Sequence, residues 1–168
     1  MPVDKDLIER CRRVRLLLMD CDGVLTDGRL YYGPAGEELK VFHVRDGYGL
    51  VAWHEAGFKS GIISGRNSDI VNFRFERLGV QFIRQGNDDK AVVFDDLLTE
   101  AGISEQETAY IGDDVPDIAV MRRVAFAAAV ADAHPLVKEA AHFVTESKGG
   151  YAAVRELIDI LLGSRERT

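Results

Sequence analysis

The sequence has few cysteines, and their arrangement excludes several kinds of chemistry. Only Cys11 and Cys21 occur among the 168 residues, and they form no Cys-x-x-Cys motif and no pattern that requires a disulfide. Neither is followed six residues later by the arginine of a cysteine-based phosphatase loop, because those positions hold Leu17 and Asp27. We therefore interpret both cysteines as small core residues without a chemical role.

Other absences exclude whole classes of partner. The net charge of −7 argues against nucleic acid, because a phosphate backbone requires a basic face. No apolar run is long enough to span a membrane, and the first residues lack the basic and then apolar pattern of a signal peptide. We therefore expect a cytoplasmic protein without membrane partners. An acidic total does not exclude a small anionic ligand, which senses only the local field of its site.

The composition is that of an ordinary globular protein. With 46% hydrophobic and 29% charged residues, the chain can bury its own core, and we predict a single domain over residues 1–168. Predicted strands and helices alternate at short spacing, without a linker or an internal repeat. This alternation is typical of an α/β fold with a doubly wound parallel sheet, Rossmann-like, that has helices on both faces.

The pattern of apolar residues, glycines and capping residues predicts the individual elements. The predicted strands of the sheet are residues 14–19, 59–63, 80–84, 108–111, 124–130 and 142–145. The predicted helices are residues 4–13, 46–56, 67–78, 88–101, 115–121, 135–141 and 152–162. A β-hairpin with strands at 29–32 and 39–44 is expected around the turn 33–36, and the tail 163–168 is expected to be loose.

The rest of the chain is organised around the stretch DCDGVLTDG at 20–28, directly after the first buried strand. If the backbone turns after Asp20, the carboxylates of Asp20 and Asp22 can face one pocket. Crowded carboxylates repel each other unless a cation or a shared proton compensates, and Mg²⁺ is the hard ion that takes oxygen ligands. Alternatively, the Asp-Gly pair is only a turn signal.

Two further strand ends carry polar side chains, Ser64 and Asp113. Ligands of parallel sheets bind beyond the carboxyl ends of the strands, so these side chains can share a site with Asp20. Lys90 lies in the first turn of a predicted helix, where the helix dipole disfavours a cation. Binding a phosphoryl oxygen would explain it, and a solvated surface lysine is the alternative. A nucleophile, a metal site, a hydroxyl and a cation are what phosphoryl transfer requires.

These residues, in their order along the chain, resemble the four motifs of the haloacid dehalogenase-like phosphohydrolases. The motifs correspond to Asp20 with Asp22, to Ser64, to Lys90, and to the Gly-Asp-Asp at Asp113 and Asp114. Longer stretches resemble the 3-deoxy-D-manno-octulosonate 8-phosphate phosphatase family: FHVRDGYGL at 42–50, SGR at 64–66, GNDDK at 86–90, YIGDDVPD at 110–117, VADAHP at 130–135 and GGYAAVRE at 149–156. Two positions depart from the family: Val51 stands where a basic residue is common, and Ala152 where glycine is usual.

The resemblance implies a cap-less haloacid dehalogenase-like fold and a Mg²⁺-dependent phosphatase of 3-deoxy-D-manno-octulosonate 8-phosphate, in lipopolysaccharide precursor synthesis. Asp20 would form an aspartyl-phosphate, and Asp22 would act as general acid and base. Mg²⁺ would be held by the carboxylates of Asp20 and Asp113 and by the backbone carbonyl of Asp22. Ser64 and Lys90 would bind the phosphoryl oxygens.

The resemblance also implies residues around this core. Asp114 would orient metal-bound water or Lys90. The implied substrate contacts are His43, Val44, Arg45, Asp46, Gly47, Arg66, Arg74 and Lys90, although Arg66 and Arg74 could instead be surface ion-pair residues. A homotetramer is implied, with the hairpins packed at its centre and a neighbour's C-terminal segment helping to close each site. This agrees with the apolar residues of the hairpin, which cannot bury both of its faces alone.

Two alternatives remain open at this point. The first is a phosphatase of a related nonulosonate 9-phosphate. The second is a non-catalytic, phospho-accepting receiver-like module, which also combines carboxylates, Mg²⁺, a hydroxyl and a lysine. Chain order argues against the receiver, because there the lysine comes last, whereas here Asp113 and Asp114 follow Lys90.

Overall fold

A central sheet of six strands organises the protein, whose computed structural model describes residues 5–166. The strands of the chain are β1 (Leu16–Met19), β2 (Tyr31–Gly33), β3 (Gly36–Leu39), β4 (Lys59–Ser64), β5 (Phe82–Gln85), β6 (Thr108–Gly112), β7 (Phe126–Ala129) and β8 (Phe143–Val144). The helices are α1 (Lys5–Arg13), α2 (Val44–Glu55), α3 (Asp69–Glu76), α4 (Lys90–Ala101), α5 (Ile118–Met121), α6 (Pro135–Ala140) and α7 (Ala153–Glu166). The central sheet has the order β5-β4-β1-β6-β7-β8, and its pairings are parallel.

The predicted doubly wound parallel sheet is confirmed. β1 (LLLM) and β7 (FAAA) are buried along their whole length, as expected for strands that are covered on both faces. The helices that flank the sheet pack in two groups, α1 and α2 against α7, and α4 and α6 against α5. The chain adds β4 and β5 on one side of β1 and β6 to β8 on the other. A ligand of such a sheet binds where the order of growth reverses, which here is beside β1.

The register of the strands aligns their carboxyl ends at this point. Met19, the last residue of β1, pairs with Ile62 of β4 on one side and with Ile111 of β6 on the other. The N–H group of the next residue donates a hydrogen bond of 3.1 Å to the Ile111 carbonyl oxygen, so the alignment continues past the strand. The predicted site residues at this edge of the sheet are Asp20, Ser64 and Asp113.

The inserted β-hairpin is present, but the predicted bounds of its second strand are wrong. β2 and β3 pair antiparallel across the turn that ends at Gly36, whereas the second strand was predicted at 39–44. Pairing begins immediately after the turn because Gly36 adopts a φ of +116°, which favours glycine. Val44 already belongs to α2, and His43 caps that helix by accepting a hydrogen bond of 3.2 Å from the Arg45 N–H.

The C-terminal segment also differs from the prediction. Residues 163–166 continue α7 instead of forming a loose tail, because tertiary contacts hold them. The guanidinium of Arg165 lies 4.4 Å from the ring centroid of Phe58 and 5.5 Å from that of Trp53. Asp4, where the first helix was predicted to begin, and Arg167 and Thr168 lie outside the described residues.

The insertion between β1 and α2 is small. Over the described residues it consists of the hairpin and connecting loops, without a cap domain, as predicted. None of the helices in residues 5–166 combines the length and the apolarity that crossing a bilayer requires. The open end of the sheet beside β1 is therefore bordered by loops and by one hairpin.

Candidate active site

The loop after β1 turns sharply, as predicted for a strand that ends at Asp20. The carbonyl oxygen of Cys21 accepts hydrogen bonds from the N–H groups of residues 24, 25 and 26. Gly23 lies in this turn with a φ of +92°, and a Cβ atom there would overlap with the carboxylate of Asp113. Glycine is therefore required for its backbone conformation and for the close approach of Asp113.

A buried lysine lies against Asp20. Lys90, the first residue of α4, is 6% exposed, and its Nζ is 3.0 Å from Oδ1 of Asp20 and 2.6 Å from Oδ1 of Asp117. Burial lowers the pKa of Lys90, but the charges of these two carboxylates outweigh burial and raise it above its ordinary value. Lys90 is thus a cation within the site and not a solvated surface lysine.

Asp117 holds this network together, although the sequence did not single it out. It is fully buried, and its Oδ1 accepts hydrogen bonds from Lys90 and, at 2.7 Å, from the Tyr110 hydroxyl. Its Oδ2 accepts hydrogen bonds from the N–H groups of Asp113 at 2.9 Å and Asp114 at 3.1 Å. The available signal was the stretch YIGDDVPD, in which a third aspartate follows the Gly-Asp-Asp motif at the end of a short 3₁₀ helix.

Asp114 is placed differently from Asp117. Its side chain is exposed and its Oδ1 accepts a hydrogen bond of 2.8 Å from the Val115 N–H, so it caps the 3₁₀ helix. The contact with Lys90 that was predicted for Asp114 is made by Asp117 instead. Of the two roles predicted for Asp114, the orientation of metal-bound water stays a prediction.

Asp20, which is buried, and Asp113, which is half-buried, form a pair of adjacent carboxyl groups. One oxygen atom of each, together with one of Asp117, lies within 4.8 Å of the others. Burial and the charge of Asp20 raise the pKa of Asp113, while burial and the charge of Asp117 raise the pKa of Asp20. The buried Oδ1 of Asp113 accepts no hydrogen bond from the described residues. Because both oxygens of Asp117 are already bonded, Asp20 and Asp113 are the donors that fit Mg²⁺, which would offset their repulsion.

Asp22 lies between two cations. Its Oδ1 is 2.6 Å from Nζ of Lys40, and its Oδ2 is 3.8 Å from Nε of Arg66. Arg66 also donates a hydrogen bond to the hydroxyl of Tyr32 in β2. The structure thus brings Arg66 to the site, and it adds Lys40, which follows β3 directly and which the sequence motifs did not indicate.

Ser64 ends β4 and is buried at the same edge of the sheet. Its Oγ accepts a hydrogen bond of 3.3 Å from the Arg66 N–H, and its carbonyl oxygen accepts one of 3.0 Å from the Gly86 N–H. These bonds hold the loop that leads into α3. A contact between Ser64 and a phosphoryl oxygen stays a prediction.

The stretch from His43 to Gly47, predicted to contact the substrate, forms the start of α2. Val44 is 74% exposed, and Arg45 lines a cavity of about 870 Å³ between α1 and α7. Among the residues that the structure describes, no hydrogen bond or ion pair joins this stretch to Asp20 or Asp22. The substrate contacts of these residues stay predictions.

Asp46 connects α2 with α7. Its Oδ1 accepts a hydrogen bond of 2.8 Å from the Arg155 N–H at the start of α7, and burial raises its pKa to about 6. The next residue, Gly47, makes room for Arg74, because a Cβ atom there would lie 2.7 Å from the Arg74 guanidinium. Asp46 thus has a structural partner in the described chain, while substrate binding by Arg74 is not tested.

A second loop lies flat against the loop after β1. The N–H of Gly150 donates a hydrogen bond of 2.9 Å to the Val24 carbonyl oxygen, and a Cβ atom at Gly149 would overlap with the carbonyl of Gly23. Ala152, two residues further, has a φ of +73° and is the one non-glycine residue with positive φ in the described chain. Its backbone is therefore strained, which explains why glycine suits this position.

Comparison with known proteins identifies the family. A profile of haloacid dehalogenase-like hydrolases matches residues 53–158. The 3-deoxy-D-manno-octulosonate 8-phosphate phosphatase of Yersinia pestis is 44% identical over 166 residues, which cover 99% of this chain and 89% of that protein. Its counterpart in Escherichia coli strain K12 is 45% identical over 161 residues, which cover 96% and 86%. The chain belongs to the 3-deoxy-D-manno-octulosonate 8-phosphate phosphatase family of haloacid dehalogenase-like hydrolases.

Solved structures of this family agree in fold. The crystal structure of the Yersinia pestis phosphatase has a TM-score of 0.95, at 44% identity and with 99% of this chain and 90% of that chain covered. The phosphatase of Moraxella catarrhalis, in complex with magnesium, phosphate and KDO, has a TM-score of 0.92 at 36% identity, with 95% and 91% covered. The predicted family, fold class and enzyme class, a phosphoric monoester hydrolase, are confirmed, and a receiver-like module is not favoured.

Proposed function

We propose that the protein hydrolyses 3-deoxy-D-manno-octulosonate 8-phosphate to the free sugar acid and phosphate with the help of Mg²⁺. The observation that carries this proposal is the close carboxylate pair of Asp20 and Asp113 beside the buried Lys90, in a chain 44% identical over 166 residues to a phosphatase of that name. Two crowded carboxylates create the need for a divalent cation, and Lys90 adds a positive charge for a phosphoryl group.

The carboxylates of Asp20 and Asp113, with the backbone carbonyl of Asp22, would hold the ion. When bound, Mg²⁺ neutralises charge on the carboxylates and on the phosphoryl oxygens. Lys90, which Asp117 fixes in place, keeps a positive charge beside Asp20. Ser64 and the neighbouring N–H groups offer donors to the phosphoryl oxygens at the end of β4.

Asp20 is the proposed nucleophile. Its carboxylate oxygen forms a bond to phosphorus while the bond from phosphorus to the sugar oxygen breaks, and Asp22 gives its proton to the departing oxygen. In the second step water forms a bond to phosphorus, the aspartyl bond breaks, and Asp22 takes the proton of the water. The site thus returns to its initial state with one phosphate released.

A phosphate-release assay with a panel of sugar phosphates tests the function and the substrate. We expect the eight-carbon octulosonate 8-phosphate to give the highest kcat/KM, with a nonulosonate 9-phosphate and glucose 6-phosphate as comparison substrates. Chelation of Mg²⁺ should lower the rate by roughly 10³-fold, since a metal ion supplies several kcal/mol of transition-state stabilisation. Preference for the nonulosonate would overturn the substrate, and full activity after chelation would overturn the mechanism.

We further propose that the protein assembles as a homotetramer through its hairpin. Four apolar side chains around the hairpin are exposed by 42 to 59% in one chain: Leu30, Tyr32, Leu39 and Val41. Such a cluster favours a partner surface. Sedimentation should give the mass of four chains, and Val41→Glu should lower it, whereas Val92→Glu on the equally exposed face of α4 should not. A monomeric native protein would contradict the proposal.

A cytoplasmic location and a single domain over the whole chain remain predictions. Cell fractionation tests the first. A single cooperative unfolding transition, followed both by fluorescence of the single tryptophan, Trp53, and by far-ultraviolet circular dichroism, tests the second.

A further inference from the structure

Lys40 is a buried lysine whose position requires an explanation. Its side chain is 2% exposed, and its Nζ lies 2.6 Å from Oδ1 of Asp22. Lysine is almost never fully buried unless it is paired, because removing an ammonium group from water is costly. The chain nevertheless turns Lys40 inward directly after β3, although Tyr32 and Leu39 of the same hairpin are exposed.

The hairpin supports the same carboxylate from both of its strands, directly through Lys40 after β3 and indirectly through Tyr32 of β2. β3 brings Lys40 to Oδ1 of Asp22, while Tyr32 of β2 accepts a hydrogen bond from Arg66, whose Nε lies 3.8 Å from Oδ2 of Asp22. The Arg66 guanidinium also lies 5.8 Å from the centre of the Tyr32 ring. The Asp22 carboxylate is thus held from two directions by cations that the hairpin delivers or supports.

This arrangement matters for proton transfer. A general acid works only when its oxygen lies within hydrogen-bond reach of the departing atom, about 3 Å. Asp22 lies within the turn after β1, and its two carboxylate oxygens face Lys40 and Arg66, so these ionic partners oppose rotation about its side-chain bonds. The 2.6 Å contact with the buried ammonium group of Lys40 restricts this rotation more than the 3.8 Å contact with the half-buried side chain of Arg66 does.

We propose that Lys40 is a positioning residue that holds the Asp22 carboxyl group in the orientation for proton transfer to the leaving oxygen. The inference rests on the acid and base role proposed above for Asp22. Lys40 touches neither phosphorus nor the sugar in this scheme. It therefore acts on the departure of poor leaving groups and not on the attack by Asp20.

Two substrates with different leaving groups separate these effects. A sugar alkoxide needs a proton to depart, whereas 4-nitrophenolate leaves without one. The ratio kcat/KM covers the steps up to leaving-group departure, so slow hydrolysis of the aspartyl-phosphate does not obscure it. Lys40→Met should lower kcat/KM for the sugar phosphate by about 10²-fold, within the range for loss of general acid catalysis. For 4-nitrophenyl phosphate it should fall by no more than about threefold.

The controls are matched to the proposal. Lys40→Arg keeps the charge. Its kcat/KM for the sugar phosphate should be about tenfold higher than that of Lys40→Met. Lys59→Met removes a lysine whose Nζ donates a hydrogen bond to the Ala101 carbonyl oxygen. This variant should leave kcat/KM unchanged for both substrates. Asp22→Asn should show the same contrast between substrates as Lys40→Met, only larger. Thermal unfolding of each variant shows whether the fold is retained.

An equal loss with both substrates would overturn the proposal, because it would mean that Lys40 supports the fold or the phosphoryl site. Unchanged activity with both would overturn it as well. If Asp22→Asn fails to discriminate, the role of Asp22 is wrong and the Lys40 inference falls with it. If the native enzyme prefers another sugar phosphate, the proposed substrate fails, but the contrast is then measured with that sugar phosphate and still decides the role of Lys40.

Discussion

Asp113, which is half-buried, and Asp46, which is buried, are two carboxyl groups in different surroundings. Burial raises the pKa of both, and each has one buried oxygen that accepts no hydrogen bond from the described residues. Asp113 faces a second carboxylate, Asp20, at the carboxyl end of the sheet. Asp46 faces backbone N–H groups at the start of α7, among them that of Arg155. The two groups look alike when only the direction of their pKa shift is considered.

The difference shows that perturbed proton affinity alone does not identify an active site. The N–H groups at a helix start stabilise an anion without a further ligand, so Asp46 has a structural explanation. A carboxylate that faces another carboxylate is stabilised by a shared proton or by a bound cation, so Asp113 indicates chemistry. The partners of a buried group therefore decide between the two interpretations.

The largest expected effect comes from the strand-end site. Asp20→Asn should lower phosphate release on the order of 10⁴-fold or more, because an amide oxygen does not replace a carboxylate nucleophile. Asp46→Asn is the matched control at the helix junction and should stay within roughly tenfold of the native rate. The measurement is phosphate release at saturating Mg²⁺. Equal losses of activity in the two variants would show that the two sites do not differ in their role in catalysis.

Asp113→Asn tests whether Asp113 binds the metal ion. In the absence of metal this variant should be more stable than the native protein by on the order of 1 kcal/mol, because it removes repulsion with Asp20. Mg²⁺ at about 100 times its Kd should stabilise the native protein by about 2.7 kcal/mol and the variant far less. Thermal unfolding with and without Mg²⁺ measures both. Equal stabilisation of the two proteins would show that Asp113 does not hold the ion.

For Asp46 we expect a dependence of stability on pH that requires no metal. Its pKa is about 6 in the folded protein against an ordinary value of 3.8, so the folded state binds the proton more tightly. The free energy of unfolding contributed by Asp46 is therefore fully present below about pH 4 and is lost as pH rises through about 6. Between pH 4 and 7, Asp46→Asn should gain about 2 kcal/mol relative to the native protein. The same difference in free energy of unfolding between variant and native protein at pH 4 and at pH 7 would contradict this.

The smallest expected effect concerns the loop that joins the site to α7. Ala152 has a φ of +73°, which costs an alanine about 1 kcal/mol and glycine almost nothing. Ala152→Gly should therefore raise the free energy of unfolding by about 0.5 to 1 kcal/mol. Ala153→Gly, at the first residue of α7, should lower it by a similar amount. Destabilisation by both glycines in urea titrations would show that Ala152 is not strained.

Much of the site was predictable because it depends on local sequence. Asp20, Ser64 and Asp113 follow apolar runs that can only be buried strands, and parallel strands align their carboxyl ends. Errors arose where local signals compete with distant contacts. The run from Leu39 to Val44 suggested the second strand of the hairpin, but pairing begins at Gly36 and Val44 belongs to α2. The tail from Gly163 was expected to be loose, but Arg165 packs on Trp53 and Phe58 and the helix continues.

The amino-acid sequence by itself determined the order of strands and helices, the parallel sheet, and the polar residues at its carboxyl edge. These features follow from apolar periodicity and from residues close to one another in the chain. Only the tertiary structure decided which charges meet: Asp117 rather than Asp114 at Lys90, Lys40 at Asp22, and Asp46 at α7. The physical reason is that a buried charge is stabilised by whichever partner the packing of distant segments places within a few ångströms, and no local pattern specifies that partner.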